Sequence, residues 1–529
     1  MQGTEEDLIH LAAVRPDDPM PRLVFADWCE ERDAERAEFV RLACQAEPSD
    51  KPRVEELLRS RGKDWAGDLP DQAHAWHFHQ GLITLVEGDE NLLAPTARTT
   101  WQKNPVQHLR LHLPAGSRMP DSPHWPSQLK RLDITGNDGV ARAWLPRLHG
   151  SLPSCTRHLT LERCGIDTES TRQADRAGLF SPLINLEFRD NRMFGDNALR
   201  ALARSAAKNL RSLTLHHANI TPVALGELLA DAPFPMLEEL CVALPAAFPA
   251  GPALQALSPN FHAGPWSNQL TRLELAGLPL GVEGYMGLAL NRALNLQRLG
   301  ASQGRVATEG QHLLQGGPGI ESVRALNLSG NELENQHVQL LARSQHWSAL
   351  EELNLSRNRL SDLAINSLLE DGPIGRQLTR LDLARNRVGG PGLMALANCQ
   401  NLRFLGMGGN YLGPEAIETL WAEGTLALLE EIDFSASPLE EKILRLLRTQ
   451  AKPAMKTLAL SDHAAGMMVS KACPALQGLL HMRILGKPDW HLARQIFART
   501  GALDLEFLDE GRAWRRNRHA MEMPLRASV

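Results

Sequence analysis

The chain has 529 residues, enough for two or more globular domains or for one solenoid with a cap, and enough to bury a large core. Its 56 Lys and Arg against 62 Asp and Glu give a formal charge of -6, which argues against a dedicated nucleic-acid binder built on a strongly basic surface. Aromatic residues make up only 5%, so the core must be filled by aliphatic side chains, and Leu recurs at fixed spacing.

In chain order, residues 5 to 60 read as short helices broken at Pro16 and Pro48, in the segments EEDLIHLAAV, PRLVFADWCEER, AERAEFVRLACQ and PRVEELLRS. Leu23, Trp28, Phe39 and Leu42 supply apolar faces suited to closing the end of a repeat array, and residues 1–75 are expected to form this helical cap. Asp27, Arg36 and Glu38 are expected to form a charged cluster between helices, structural rather than catalytic. The segment PDDPMPRLVFADWCEERDAERAEFVRLACQ resembles the repeat-companion domain at the front of many bacterial leucine-rich-repeat proteins, notably of planctomycetes and myxobacteria. The residues that match are Asp18, Pro21, Arg22, Leu23, Ala26, Asp27, Trp28, Glu30, Arg36, Ala37, Glu38 and Phe39, whereas Phe25 replaces the usual Tyr and Arg32-Asp33 the common Gly-Asp. The resemblance implies a bacterial source and no chemistry.

Next comes HAWHFHQG, where His77 and His79 share a face if the segment is extended, with His74 nearby. No Cys or carboxylate completes a zinc set at a recognised spacing, so a segment packing cap against repeats is the favoured reading and no metal site is expected.

From Val106 the pattern L-x-x-L-x-L-x-x-N recurs, clearest in LKRLDITGN, LINLEFRDN, VRALNLSGN, LEELNLSRN, LTRLDLARN and LRFLGMGGN. Its first positions include Leu129, Leu183, Val323, Leu350, Leu378 and Leu402 and run to Met455, most steps being about 26 to 28 residues. Leu353 and Leu355 share a face of an extended strand and point inward, while Glu352, Asn354 and Ser356 point out. Runs of helical spacing follow, such as HVQLLARSQ, LAINSLLED and AIETLWAEG. The Asn at the bend (Asn137, Asn191, Asn331, Asn358, Asn386, Asn410) reads as a buried amide bonding turn backbone, and Cys164 takes that place in its repeat. The fold expected is α/β, a right-handed leucine-rich-repeat solenoid (horseshoe) of about 13 to 14 repeats over 76–470. It resembles the ribonuclease-inhibitor-like class, which implies an intracellular, protein-binding solenoid. That class includes Ran GTPase-activating proteins, but no residue here carries that activity over.

Regularity fails over 244–268, where Pro245, Pro249, Pro252, Pro259 and Pro265 predict an irregular loop. The Asn column lapses around it, at Ala218, Pro245, Leu278 and Gly304. Residues 471–529 are expected to form a helical C-terminal cap with a basic tail, in which Arg512, Arg515, Arg516, Arg518 and Arg526 face only Glu522. That tail is read as a disordered or docked terminus, and it is the one place where nucleic acid could bind.

No phosphate loop, GxSxG or HExxH occurs, and Cys473 in KACPALQG has no catalytic pattern around it. Seven scattered cysteines without a CxxC fit a reducing compartment, and neither a secretion signal nor a membrane span is read, so a cytoplasmic location is expected. The function expected is a non-catalytic scaffold, without cofactor, that binds an unidentified protein on its concave strand face. The alternative is a regulator of a GTPase or another enzyme, or a cysteine-dependent bacterial effector enzyme. The residues expected to meet the partner are Asp133, Glu187, His216, Glu274, Asn327, Asn354, Asp382 and Asp433. Arg131, Arg272 and Arg380 are expected to pair with Asp133, Glu274 and Asp382.

Overall fold

A computed structural model describes residues 4–15, 18–45, 50–67, 69, 73–244, 265–370, 374–396, 399–412, 428–435, 456–461, 465, 481–486, 492, 496, 504–509 and 512–517. The chain divides into two compact units, Met1–Ala224 with Pro233–Leu237, and Leu225–Ala232 with Glu238–Glu522.

The first unit opens with helices α1 (Glu5–Val14), α2 (Met20–Cys29), α3 (Ala34–Gln45) and α4 (Lys51–Trp65). Thr4 and Asp7 start α1 with a reciprocal capping box, which satisfies two otherwise unpaired backbone N–H groups. Ile9, Phe25, Cys29, Phe39, Val40 and Leu57 make the cap core, and Leu82 from the following strand is buried in the same cluster. Phe39 stacks on Trp65 at 4.9 Å and meets Phe78 edge-on at 5.4 Å, so the cap and the segment after it share one aromatic joint.

That segment is a hairpin of β1 (Ala75–His79) and β2 (Leu82–Gly88), antiparallel to one another. The extended reading of His77 and His79 therefore holds, as strand residues of β1. From β2 the pairing is parallel, through β3 (His108–His112), β4 (Arg131–Thr135), β5 (His158–Glu162) and β6 (Asn185–Arg189) to β7 (Ser212–His216). The ladder thus begins one rung before Val106. Ile83 and Val86 occupy the inward positions of that first rung, and Gly88 stands where a Leu is expected because the Leu92 side chain fills its place, 2.5 Å from where a Cβ would sit.

In the second unit, parallel pairing joins β8 (Glu239–Ala243), β9 (Arg272–Ala276), β10 (Arg298–Gly300), β11 (Ala325–Asn327), β12 (Glu352–Asn354) and β13 (Arg380–Asp382). It continues through β14 (Phe404–Gly406), β15 (Glu431–Asp433), β16 (Thr457–Ser461) and β17 (His481–Leu485) to β18 (Asp504–Asp509). The ladder passes the boundary expected near residue 470, and the basic stretch is its last strand among the described residues: β19 (Arg512–Asn517) lies antiparallel to β18, with Arg512 opposite Asp509 and Arg515 opposite Glu506. Arg518 and Arg526 lie outside the described residues, as does most of the proline-rich insertion over 244–268.

Alternation along the regular repeat strands does what the period of two requires: Leu353 and Leu355 are 2% and 0% exposed, and Leu381 and Leu383 are fully buried. Helices at Asn335–Arg343 and Asp362–Glu370 bury Val338, Leu341, Ile365 and Leu368. These strands, helices and buried Leu positions make the chain an α/β leucine-rich-repeat solenoid.

The Asn column stitches consecutive repeats. Asn358 donates through Nδ2 to the carbonyls of Leu328 at 3.1 Å and Leu355 at 2.9 Å, while its Oδ1 accepts from the N–H groups of Asn331 at 2.9 Å and Leu333 at 3.0 Å. Asn191, Asn331, Asn386 and Asn410 reach back in the same way to the carbonyls of Leu161, Ala301, Leu355 and Leu383. Cys164, fully buried, gives its weak donor to the carbonyls of Ile134 and Glu162, and burial pushes its thiol up to about 12, which leaves it inert as a nucleophile. Asn137 departs from the expectation: it is half-buried and accepts locally, from the N–H of Gly139 at 3.1 Å, where Gly139 is the N-cap of the helix that starts at Val140. Where the Asn is missing, apolar Ala218 and Leu278 are buried in its place, and the Tyr285 hydroxyl donates to the Gly304 carbonyl at 2.6 Å.

Candidate interaction face

The outward side chains of each parallel ladder form registered columns. In the first unit one column runs Glu87, Arg110, Asp133, Thr160, Glu187, Thr214, and the column two residues earlier runs His108, Arg131, His158, Asn185, Ser212. Asp133 sits at the centre of a charge network, 2.7 Å from His108 Nε2, 2.9 Å from Arg131 Nε and 3.5 Å from Arg110 Nε. Burial by itself would raise its pKa, but the His108 and Arg131 contacts outweigh burial and hold the carboxyl well below the usual range. Burial also lowers the pKa of His158, with the Arg131 charge adding to it. Glu187 pairs with Arg189 at 2.7 Å. His216 ends β7 opposite Arg189 and is exposed, as expected for an outward residue.

In the second unit the main column runs Glu274, Gly300, Asn327, Asn354, Asp382, Gly406, Asp433. Four residues expected to meet a partner have a second task. Asn327, Asn354, Asp382 and Asp433 each accept, through Oδ1, the N–H two residues on, from Ser329, Ser356, Ala384 and Ser435 at 2.8–3.1 Å. This Asx geometry turns the chain out of the strand. The signal was present in the sequence as Asn or Asp two residues before Ser or Ala.

Glycine makes room for two of the carboxylates: a Cβ on Gly300 would lie 1.5 Å from Glu274 Oε2, and one on Gly406 would lie 2.4 Å from Asp382 Oδ1. Burial raises the pKa of both Glu274 and Asp382. Arg272 approaches Glu274 at 3.7 Å, in line with the expected pairing. Arg380 departs from it. Its guanidinium lies 4.2 Å from the centre of the Phe404 ring and reaches Glu431 at 3.5 Å, a second carboxylate contact of Glu431 being with Arg483. The next-but-one strand wins because Phe404 offers an aromatic face to the cation on the strand between, whereas the Asp382 carboxylate is committed to its turn. Arg298 likewise spans two strands to Glu352 at 3.3 Å.

The charged residues of the cap do not gather as expected. Asp27 pairs with Arg41 at 2.8 Å, Glu38 is held by Arg53 through two bonds of 2.8 Å, and Arg36 is buried 5.2 Å from the Trp65 ring centre. Helical spacing places Asp27, Arg36 and Glu38 on different neighbours, so no joint site forms. Cys473 lies outside the described residues. Among the described residues no helix is long and apolar enough to cross a membrane.

A family model described as a leucine-rich repeat matches residues 376–397. Among solved structures the chain is similar to one from the complex of Rad7 and Elc1 in yeast, at 16% identity over 66% of this chain and 79% of that one, with a TM-score of 0.41. It is also similar to one from the TLR13–ssRNA13 complex, at 12% identity over 76% of this chain and 56% of that one, with a TM-score of 0.32, so it spans just over half of the latter. The matched 22-residue segment contains β13 and Asn386, the strand and the stitching amide from which the repeat was read.

Proposed function

We propose that this chain is a non-catalytic scaffold that binds a protein partner on the outward face of its sheet, and that it works in the bacterial cytoplasm. One observation carries the reading: Arg380 stacked 4.2 Å over Phe404 on the outward face, framed by Glu431 and Arg483. Arg and aromatic side chains are the residue types that most often anchor protein interfaces. Here the ring and the guanidinium are held in place before any partner arrives, which lowers the ordering cost of binding. The bacterial source rests on the resemblance of residues 16–45 to the repeat-companion domain, whose part here is to cover the end of the ladder at β1 and β2. Cysteines in no disulfide among the described residues, such as Cys29, Cys44, Cys155, Cys164 and Cys399, support a reducing compartment.

The test is to capture the partner from the source cell and measure its affinity for purified variants. Phe404→Ala removes a side chain outside the core, and about a thirtyfold loss of affinity is expected, equivalent to ~2 kcal/mol. Leu363→Ala, at a helix position 65% exposed, should bind as the parent does. Equal affinities for the parent and Phe404→Ala would sink this reading.

A further inference from the structure

Where β6 and β7 end, two consecutive repeats bring Asp190, His216 and His217 together, and among the described residues one ligand-type atom from each lies within 4.8 Å of the other two. His217 Nδ1 is 2.6 Å from Asp190 Oδ1, and the two imidazole rings are 4.2 Å apart. We propose that these three side chains form a surface site for one divalent transition-metal ion of the Zn2+ type.

The backbone sets the arrangement. Asp190 and His217 each follow the last residue of a strand and each has φ of 53°, so both side chains leave the ladder in the same sense. The Asp190 N–H donates to the His216 carbonyl at 2.8 Å, and Arg189 and His216 are register partners, which fixes the spacing between the two repeats. Neighbouring cations are already engaged: Arg189 by Glu187 at 2.7 Å and Arg163 by Glu162 at 3.1 Å.

Two imidazoles and one carboxylate match the preference of Zn2+ for mixed N and O donors. A tetrahedral site with bonds of about 2.0–2.1 Å places its ligand atoms about 3.3 Å apart. The Asp190–His217 pair, at 2.6 Å, must therefore open, and the three ligand atoms must settle at that separation. All three can do so by side-chain rotation, since both imidazoles are exposed and the Asp190 side chain is 43% exposed. Three protein ligands leave the remaining coordination to water. Two other His–carboxylate contacts of this unit, His112 with Glu87 at 2.8 Å and His74 with Asp89 at 4.0 Å, involve none of these three residues and supply a control.

The experiment titrates ZnCl2 into untagged, chelator-stripped full-length protein in competition with a chromogenic chelator. One saturable Zn2+ site per chain is expected, weakened roughly tenfold or more in His217→Gln and in Asp190→Asn, absent in the His216→Ala/His217→Ala double variant, and unchanged in His74→Ala. Zn2+ should also raise the melting temperature of the parent and leave that of the double variant where it was. No saturable binding by the parent, or equal binding by the His217→Gln and double variants, would overturn the proposal and leave the cluster as a His217–Asp190 ion pair.

Discussion

Replacing Asn358 by Ala is expected to cost ~3–6 kcal/mol of folding stability, far more than the loss of a surface amide. Asn358 is 8% exposed and serves the carbonyls of Leu328 and Leu355 together with the N–H groups of Asn331 and Leu333. Ala removes every one of these partners at once and admits no water to replace them, and each buried polar group left unsatisfied costs about 1–3 kcal/mol. Three of the four groups belong to the preceding repeat, so the damage should spread backward along the chain. Urea unfolding gives the magnitude. Hydrogen exchange gives the location, with the amides of Asn331 and Leu333 losing protection first. Asn358→Cys should lose less, since Cys164 holds the same station and still bonds two carbonyls. A substitution to Ala that moved the urea midpoint no further than an exposed Asn→Ala change would contradict this role.

Gly81→Ala should separate the helical cap from the first rung. Gly81 has φ of +84°, a region costly for any residue with a side chain, and a Cβ there would lie 2.7 Å from Val40 Cα and 2.8 Å from Val40 Cγ2. Backbone strain and steric overlap act together, because α3 can relieve the overlap only by moving off the hairpin. The expected loss is ~2–4 kcal/mol. It would register as a changed emission of Trp65, which stacks on Phe39 at this joint, and as faster proteolysis within residues 34–65. Val40→Ala in the same chain removes part of the obstruction and should restore some of the loss. If Gly81→Ala left both signals untouched, the close approach of α3 to the hairpin would be refuted.

The features legible in the sequence are those tied to a period. Spacing of two along LEELNLSRN separates buried Leu353 and Leu355 from outward Glu352 and Asn354, and the roughly 27-residue recurrence of Asn fixes the amide column. What escaped was set by partners distant in sequence. The first rung was hidden because Leu92 fills the place of a missing Leu at Gly88, and the last rungs because β17 and β18 lack the terminal Asn. Charge pairing was read between neighbours two residues apart, which holds for Arg131 and Asp133 at 2.9 Å, but Arg380 turns to a strand 51 residues further on. Phe404 is the one aromatic residue in the column from Arg272 to Glu431, a signal that the charge pattern of its neighbours conceals. The spacing of Asn327, Asn354, Asp382 and Asp433 points outward, but their hydrogen bonds to the following turns mean that reversing charge there would disturb the fold as well as the surface. Outward residues free of the turns, such as Phe404 and Glu352, separate the two effects.

The proposed partner lies on the outward strand face and not on the helices. A photo-crosslinking amino acid placed singly at Glu352 or Phe404, and for comparison at Leu363 or Met394 on the helices, tests it directly. Leu363 and Met394 are 65% and 51% exposed, so each is accessible to any partner that docks there. Irradiation of the complex with the captured partner should give a covalent adduct from positions 352 and 404 and none from 363 and 394. Adducts from 363 and 394 alone would contradict the account and move the binding surface to the helical side.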